Sequence, residues 1–144
     1  MTFETSREAY DAFMGRNADL LAPRLIAFAG VQPGDRVLDV GCGPGSLTEP
    51  LAELVGPERV AAIDPSESFA AANAERVPGA DVQVGAAELL PWPAGTFDVA
   101  LAQLVVNFMS DADAGIAEMR RVVRPGGIVA AASSRPARGT TPAG

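Results

Sequence analysis

Apolar residues in this chain fall into short runs that end at glycine or at a polar residue, and these runs alternate with stretches of helical period. The runs are Arg36–Val40, Val60-Ala61-Ala62-Ile63, Val82-Gln83-Val84, Val99-Ala100-Leu101-Ala102 and Ile128–Ala132. Short and apolar nearly throughout, they read as strands buried on both faces. Helices are predicted from Ser46 to about Val55, closed by Gly56-Pro57, from Ser66 to about Arg76, and from Ala112 to Val123, ended by Arg124-Pro125-Gly126-Gly127. Ahead of the first strand, Thr5-Ser6-Arg7-Glu8 has capping-box spacing and opens a helix carrying Tyr10, Phe13 and Met14. A second helix, over residues 17–29, places Leu21, Leu25 and Phe28 on one face, with Pro23 in its first turn or at a kink.

Alternation of this kind predicts an α/β fold: a doubly wound, mostly parallel sheet in three α/β/α layers. Such sheets bind ligands outside the C-terminal ends of their strands. Asp39, Asp64, Glu88 and Gln103 all fall at those ends.

The junction Val40-Gly41-Cys42-Gly43-Pro44-Gly45-Ser46 runs from a strand through a glycine turn into a helix. Gly41 and Gly43 can take positive φ and carry no Cβ to hold a ligand away. Asp39 can reach that ligand or brace the loop. A dinucleotide loop spaces its glycines Gly-x-Gly-x-x-Gly. Here the third glycine comes one residue early, at Gly45, and Ser46 takes its place. Pro44 removes an amide that would face a pyrophosphate. The loop therefore suits a close-packed, zwitterionic ligand without phosphate, and a nicotinamide-dependent oxidoreductase is disfavoured. Asp64, roughly 20 residues past the loop, stands where a carboxylate accepts the hydroxyls of a ribose. Asp64-Pro65-Ser66 also reads as a plain helix start.

At 144 residues the chain is the size of one domain. Its net charge of −7 argues against a nucleic-acid partner, and Arg120-Arg121 is its longest basic run. No 18-residue apolar run and no signal-like start occur, so a cytoplasmic protein without a membrane partner is expected. With no histidine, His-based triads, bases and metal sites fall away. The single cysteine, Cys42, is either a nucleophile near a helix start or a small residue filling the loop. Asp111, Asp113 and Glu118 supply too few converging ligands for an oxygen-only metal site and read as a solvated helix.

The run Val37–Ser46, with its lead-in Val31-Gln32-Pro33-Gly34-Asp35, resembles the first motif of class I S-adenosylmethionine (SAM) dependent methyltransferases. Within them the chain is similar to the type 11 group and to the branch that methylates ubiquinone and menaquinone precursors. The resemblance implies a Rossmann-like fold, SAM as cofactor and a small-molecule acceptor. It implies cofactor contacts at Gly41, Cys42, Gly43 and Gly45, with Asp39 below them and Asp64-Pro65 at the next strand end. Gly85–Trp92 resembles the family's adenine-edge segment, with Ala86 where a polar residue is common, and it implies contacts at Ala87 and Glu88. Gln103 falls where the family contacts the methionine part. Tyr10-Asp11-Ala12-Phe13-Met14-Gly15-Arg16 resembles an N-terminal lid, from which Tyr10 and Arg16 would reach the cofactor carboxylate. Methyl transfer from a sulfonium asks mainly for alignment, and no catalytic residue is assigned.

The resemblance runs from Phe3 to Ala132. Relatives of this kind continue with another helix and an antiparallel strand pair. The expected organisation is thus a methyltransferase domain over residues 1–132, incomplete at its C-terminus, and a disordered tail over 133–144. Strand five then becomes an open sheet edge, for which self-association through Ile128–Ala132 is expected. A non-catalytic or partner-dependent SAM-binding remnant is the alternative to an enzyme.

Overall fold

The computed structural model describes residues 19–103 and 110–132. Helix α1 (residues 19–29) leads into β1 (Val37–Val40), followed by α2 (Thr48–Val55), a single 3-10 turn (Pro57–Arg59) and β2 (Val60–Asp64). Then come α3 (Glu67–Arg76), β3 (Asp81–Val84), β4 (Phe97–Gln103), α4 (Ala112–Val122) and β5 (Val123–Ala132). The strands form one parallel sheet in the order β3-β2-β1-β4-β5. The chain winds outward from β1 to β3, then returns to β4 on the other side of β1. That reversal puts a crevice at the C-terminal ends of β1 and β4, where ligands of doubly wound sheets bind.

Right-handed crossovers in opposite directions place α2 and α4 on opposite faces. One core joins Ala22, Leu25 and Ala29 of α1 and Leu51 and Val55 of α2 to Val37, Val60, Val99 and Leu101. The other packs Met119 and Val122 of α4, with Ala87 and Leu90, on Leu38, Val40, Ala61 and Ile63. Side chains alternate along a strand, so Asp39 shares the face of Val37 and points into the α1/α2 layer although it is only 1 % exposed.

Two local expectations are corrected. The buried stripe of α1 is Ala22, Leu25 and Ala29, with Ile26 beside it, whereas Phe28 is 81 % exposed. Both stripes have helical spacing and share Leu25. The one carrying alanines lets the helix lie closer to the sheet. The segment Arg124–Gly127 lies within β5 and not in a helix stop, since α4 ends at Val122. Phe97 pairs with Val123 and Val99 with Ile128, so this segment bulges opposite Asp98. Gly127 has no Cβ there because one would run into Val123 and the Asp98 backbone. Arg124 Nε donates to Asp98 Oδ1 at 2.7 Å and the Arg36 amide to Oδ2 at 2.8 Å, closing the bulge. The regular ladder then runs from Val99↔Ile128 to Gln103↔Ala132, over the residues expected for strand five.

Among the described residues β3 and β5 are the sheet edges, with Val84 and Ile128 exposed. No helix among them is long and apolar enough to cross a membrane. The N-terminal capping box and the tail over 133–144 lie outside the described residues.

Candidate functional site

The glycine turn after β1 spends its amides internally. The amides of Gly41 and Cys42 both donate to the carbonyl of Ile63, at 2.8 and 3.0 Å. That of Gly43 donates to Asp64 Oδ2 at 2.9 Å, and that of Gly45 to the Cys42 carbonyl at 3.3 Å. Pro44 has none. A phosphate cradle needs several amides pointing outward together, and residues 41–45 offer no such set. Gly41, Gly43 and Gly45 all have positive φ, at 68°, 54° and 114°. They meet different needs. A methyl group on Gly43 would have no neighbour within 4 Å, so among the described residues this side of the turn is open. At Gly45 a Cβ would come within 3.1 Å of Arg76 and 3.5 Å of Asn73, so its bareness admits α3.

Register brings the expected polar residues together. Val40 pairs with Ile63 on one side and Ala102 on the other, which puts Asp64 and Gln103 level with Gly41 at the sheet's C-terminal edge. Asp64 accepts from Gly43 through Oδ2 and from the Ser66 amide through Oδ1, each at 2.9 Å. It therefore does shape the start of α3, but Ser66 is the cap proper, its Oγ accepting from the Phe69 amide at 3.3 Å. Each Asp64 oxygen has a lone pair left for another donor. Pro65 is exposed beside it, and Gln103 is buried at the end of β4.

Asp39 accepts from Thr48 Oγ1 at 2.6 Å. Burial pushes its carboxyl up to about 7, with the Thr48 hydroxyl opposing the rise and the Asp64 charge adding to it. Thr48 in turn accepts from Asn73 Nδ2 at 2.8 Å, and the same nitrogen donates to the Gly43 carbonyl at 3.2 Å. Burial, helped by the Asp39 and Asp64 charges, drives the Cys42 thiol well above its ordinary range. Cys42 is thus a filler of the loop and is not poised as a nucleophile. Thr48 and Asn73 were missed in the sequence. The only signal for them was a hydroxyl at the start of the helix after the glycine turn and an Asn on the inner side of α3.

Ala87, within the β3–β4 connection, is buried against the sheet. Glu88 is half-buried and accepts from the Asp111 amide at 3.3 Å, which ties this connection to the start of α4. Trp92 packs edge-on against Phe97 at 5.5 Å and donates to Asp81, so it serves the fold and does not face the turn. Asp111 caps α4 through the Ala114 amide, and Glu118 pairs with Arg121 and the Leu90 amide. No group of acidic or cysteine residues among the described ones could hold a metal. Tyr10 and Arg16 lie outside the described residues.

The chain is similar to known proteins in sequence and in fold. Residues 38–131 match the family described as a methyltransferase domain. The chain is 32% identical over 127 residues to a malonyl-[acyl-carrier protein] O-methyltransferase of Serratia marcescens, covering 88% of this chain and 49% of that one. It is 38% identical over 109 residues to a ubiquinone/menaquinone biosynthesis C-methyltransferase of Burkholderia mallei, covering 72% and 45%. A solved SAM-dependent methyltransferase from Aquifex aeolicus superposes with a TM-score of 0.65 at 26% identity, over 72% of this chain and 58% of that one. The chain spans less than half the length of these two curated relatives. With the family matched across the whole sheet and a glycine turn that turns its amides inward, the chain belongs to the SAM-dependent methyltransferases.

Proposed function

We propose that this chain binds SAM at the C-terminal ends of β1, β2 and β4 and presents its methyl group to a small-molecule acceptor. The observation that carries the reading is the inward use of the amides of Gly41, Cys42, Gly43 and Gly45. A turn built this way packs closely on a ligand through glycine faces without cradling a phosphate.

In this reading the second lone pairs of Asp64 accept the ribose hydroxyls, and the open side of Gly43 lets the ligand lie against backbone. Pro65 flanks the ribose, and Ala87 and Glu88 border the adenine. Gln103, level with Gly41, meets the methionine part, and Tyr10 and Arg16, outside the described residues, are the side chains assigned to its carboxylate. Asp39 and Cys42 support the turn from beneath. Bound SAM supplies a methyl group on a sulfonium, which leaves without protonation. The protein's task is then to hold acceptor, methyl and sulfur in line, a contribution on the order of 7–11 kcal/mol where alignment is good.

Isothermal titration with SAM, S-adenosylhomocysteine and NAD tests the reading. Micromolar binding of the first two without NAD binding is expected, followed by methyl transfer in a screen of acceptors. The screen begins with malonyl-[acyl-carrier protein], named for one relative, and with intermediates of ubiquinone and menaquinone biosynthesis, the process named for the other. Preferential NAD binding would overturn the cofactor assignment. SAM binding without transfer to any acceptor would leave a non-catalytic or partner-dependent binding module.

A further inference from the structure

We propose that Asn73 is a positioning residue of the cofactor loop, acting through Thr48 to set how the Asp39 carboxylate is held. The proposal rests on the SAM site above and adds a residue of α3 that no motif of that site includes. The Asn73 amide nitrogen has two hydrogens and donates to the Gly43 carbonyl and to Thr48 Oγ1, and the Asn73 side chain also faces the Cys42 thiol. A hydroxyl has one hydrogen to give. With Asn73 already donating to it, Thr48 commits that hydrogen to Asp39 Oδ2. The chain of bonds therefore runs one way, from amide to hydroxyl to carboxylate. Flipping the amide would set its oxygen against the Gly43 carbonyl, acceptor against acceptor, so the orientation follows from the network.

Two further observations single out this position. Asn73 is fully buried, yet its Oδ1 has no hydrogen-bond partner among the described residues. A side chain kept for packing alone would not carry an unsatisfied oxygen into the core, so the site is using the amide for its two donors. Gly45 has no Cβ where Asn73 passes, with the Asn73 Cγ 3.5 Å from where one would stand. One turn further along α3, Arg76 pairs with Glu49 in the first turn of α2 and holds the two helices in register. Among the described residues the groups facing Asp39 are Thr48 from α2, Asp64 from β2 and Cys42 from the turn, and of these the Thr48 hydroxyl is the contact that favours its charged form.

The test is a double-variant cycle with Thr48→Val and Asn73→Leu, both close in shape to the originals and neither adding charge. The carboxyl carbon of Asp39 is followed by NMR from pH 4 to 9 in the ligand-free chain and assigned by its loss in Asp39→Asn. SAM affinity is measured in parallel at pH 7. Thr48→Val is expected to raise the Asp39 midpoint by about one pH unit and to weaken SAM roughly tenfold. Asn73→Leu should raise the midpoint by about half a unit in the parent chain and leave it unmoved in the Thr48→Val background. Thr48→Ser, which keeps the hydroxyl, should titrate like the parent and guards against a variant that fails to fold. Equal shifts from Asn73→Leu in both backgrounds, or no shift in either, would overturn the proposal. If the midpoints move as expected while the parent chain binds no SAM, the cofactor reading fails and the positioning role stands.

Discussion

The amide of Gly43 donates to Asp64 Oδ2 at 2.9 Å, so the glycine turn after β1 and the carboxylate ending β2 form one unit. The other Asp64 oxygen holds the Ser66 amide and with it the start of α3. A single side chain thus links the turn, a strand end and a helix start, and any ligand lying over Gly43 meets a carboxylate already fixed in place.

Replacing Asp64 with Ala removes these two backbone bonds and the acceptor we propose for a ribose. SAM binding should weaken by about 1.5–3 kcal/mol, the range for hydrogen bonds to charged groups, together with a fall in the thermal midpoint. Asp64→Asn keeps one acceptor oxygen and should fall between. Titration calorimetry of both variants checks this, and unchanged affinity in Asp64→Ala would remove the ribose contact.

Asp39 makes stability depend on pH in a definite direction. Its folded carboxyl titrates at about 7, above the ordinary 3.8. Below about pH 4 it is protonated in both folded and unfolded chains and contributes nothing. As pH rises from there towards 7, the unfolded chain loses the proton while the folded one keeps it, so stability falls and then levels. Asp39→Asn cannot ionise. Its advantage over the parent should be near zero at pH 4 and grow to roughly 1–4 kcal/mol by pH 8. Urea denaturation across this range reads it directly, and a constant difference would contradict the assignment.

Asp98 acts in the opposite sense. The Arg36 amide, then the Arg124 guanidinium, hold its carboxyl below the usual range. A carboxyl whose folded pKa is lowered adds stability above its unfolded pKa and loses it as pH falls through the folded value. Asp98→Asn should therefore melt below the parent at pH 7, with the gap closing as pH drops under about 4. Thermal melts at a series of pH values would show this convergence.

Gly127 sits where a methyl group would strike Val123 and the Asp98 backbone. Gly127→Ala should cost about 1–3 kcal/mol, as overpacking does, through the β4–β5 bulge and not through the cofactor turn. The expected result is a lower denaturation midpoint with SAM affinity unchanged once folded. A neutral effect on stability would mean that the bulge can open.

Much of this molecule was legible without coordinates, because strand burial and glycine chemistry are local. Runs such as Val60-Ala61-Ala62-Ile63 carry their two-sided burial in composition alone, and alternation with helices implies a parallel sheet. The early third glycine and Pro44 already argued against phosphate, and the inward amides of Gly41, Cys42 and Gly43 supply the geometric reason. Which face of α1 is buried was not legible. Stripes one residue apart satisfy the same period, and only the distance to the sheet chooses alanine over Phe28. The same holds for Arg124–Gly127, whose proline and glycines read equally as a helix stop and as a bulge until Asp98 stands opposite them. The partnership of Asp39, Thr48 and Asn73 came from the tertiary structure alone. Its members sit on β1, α2 and α3, and hydrogen bonds between separate elements leave no period or spacing in the chain.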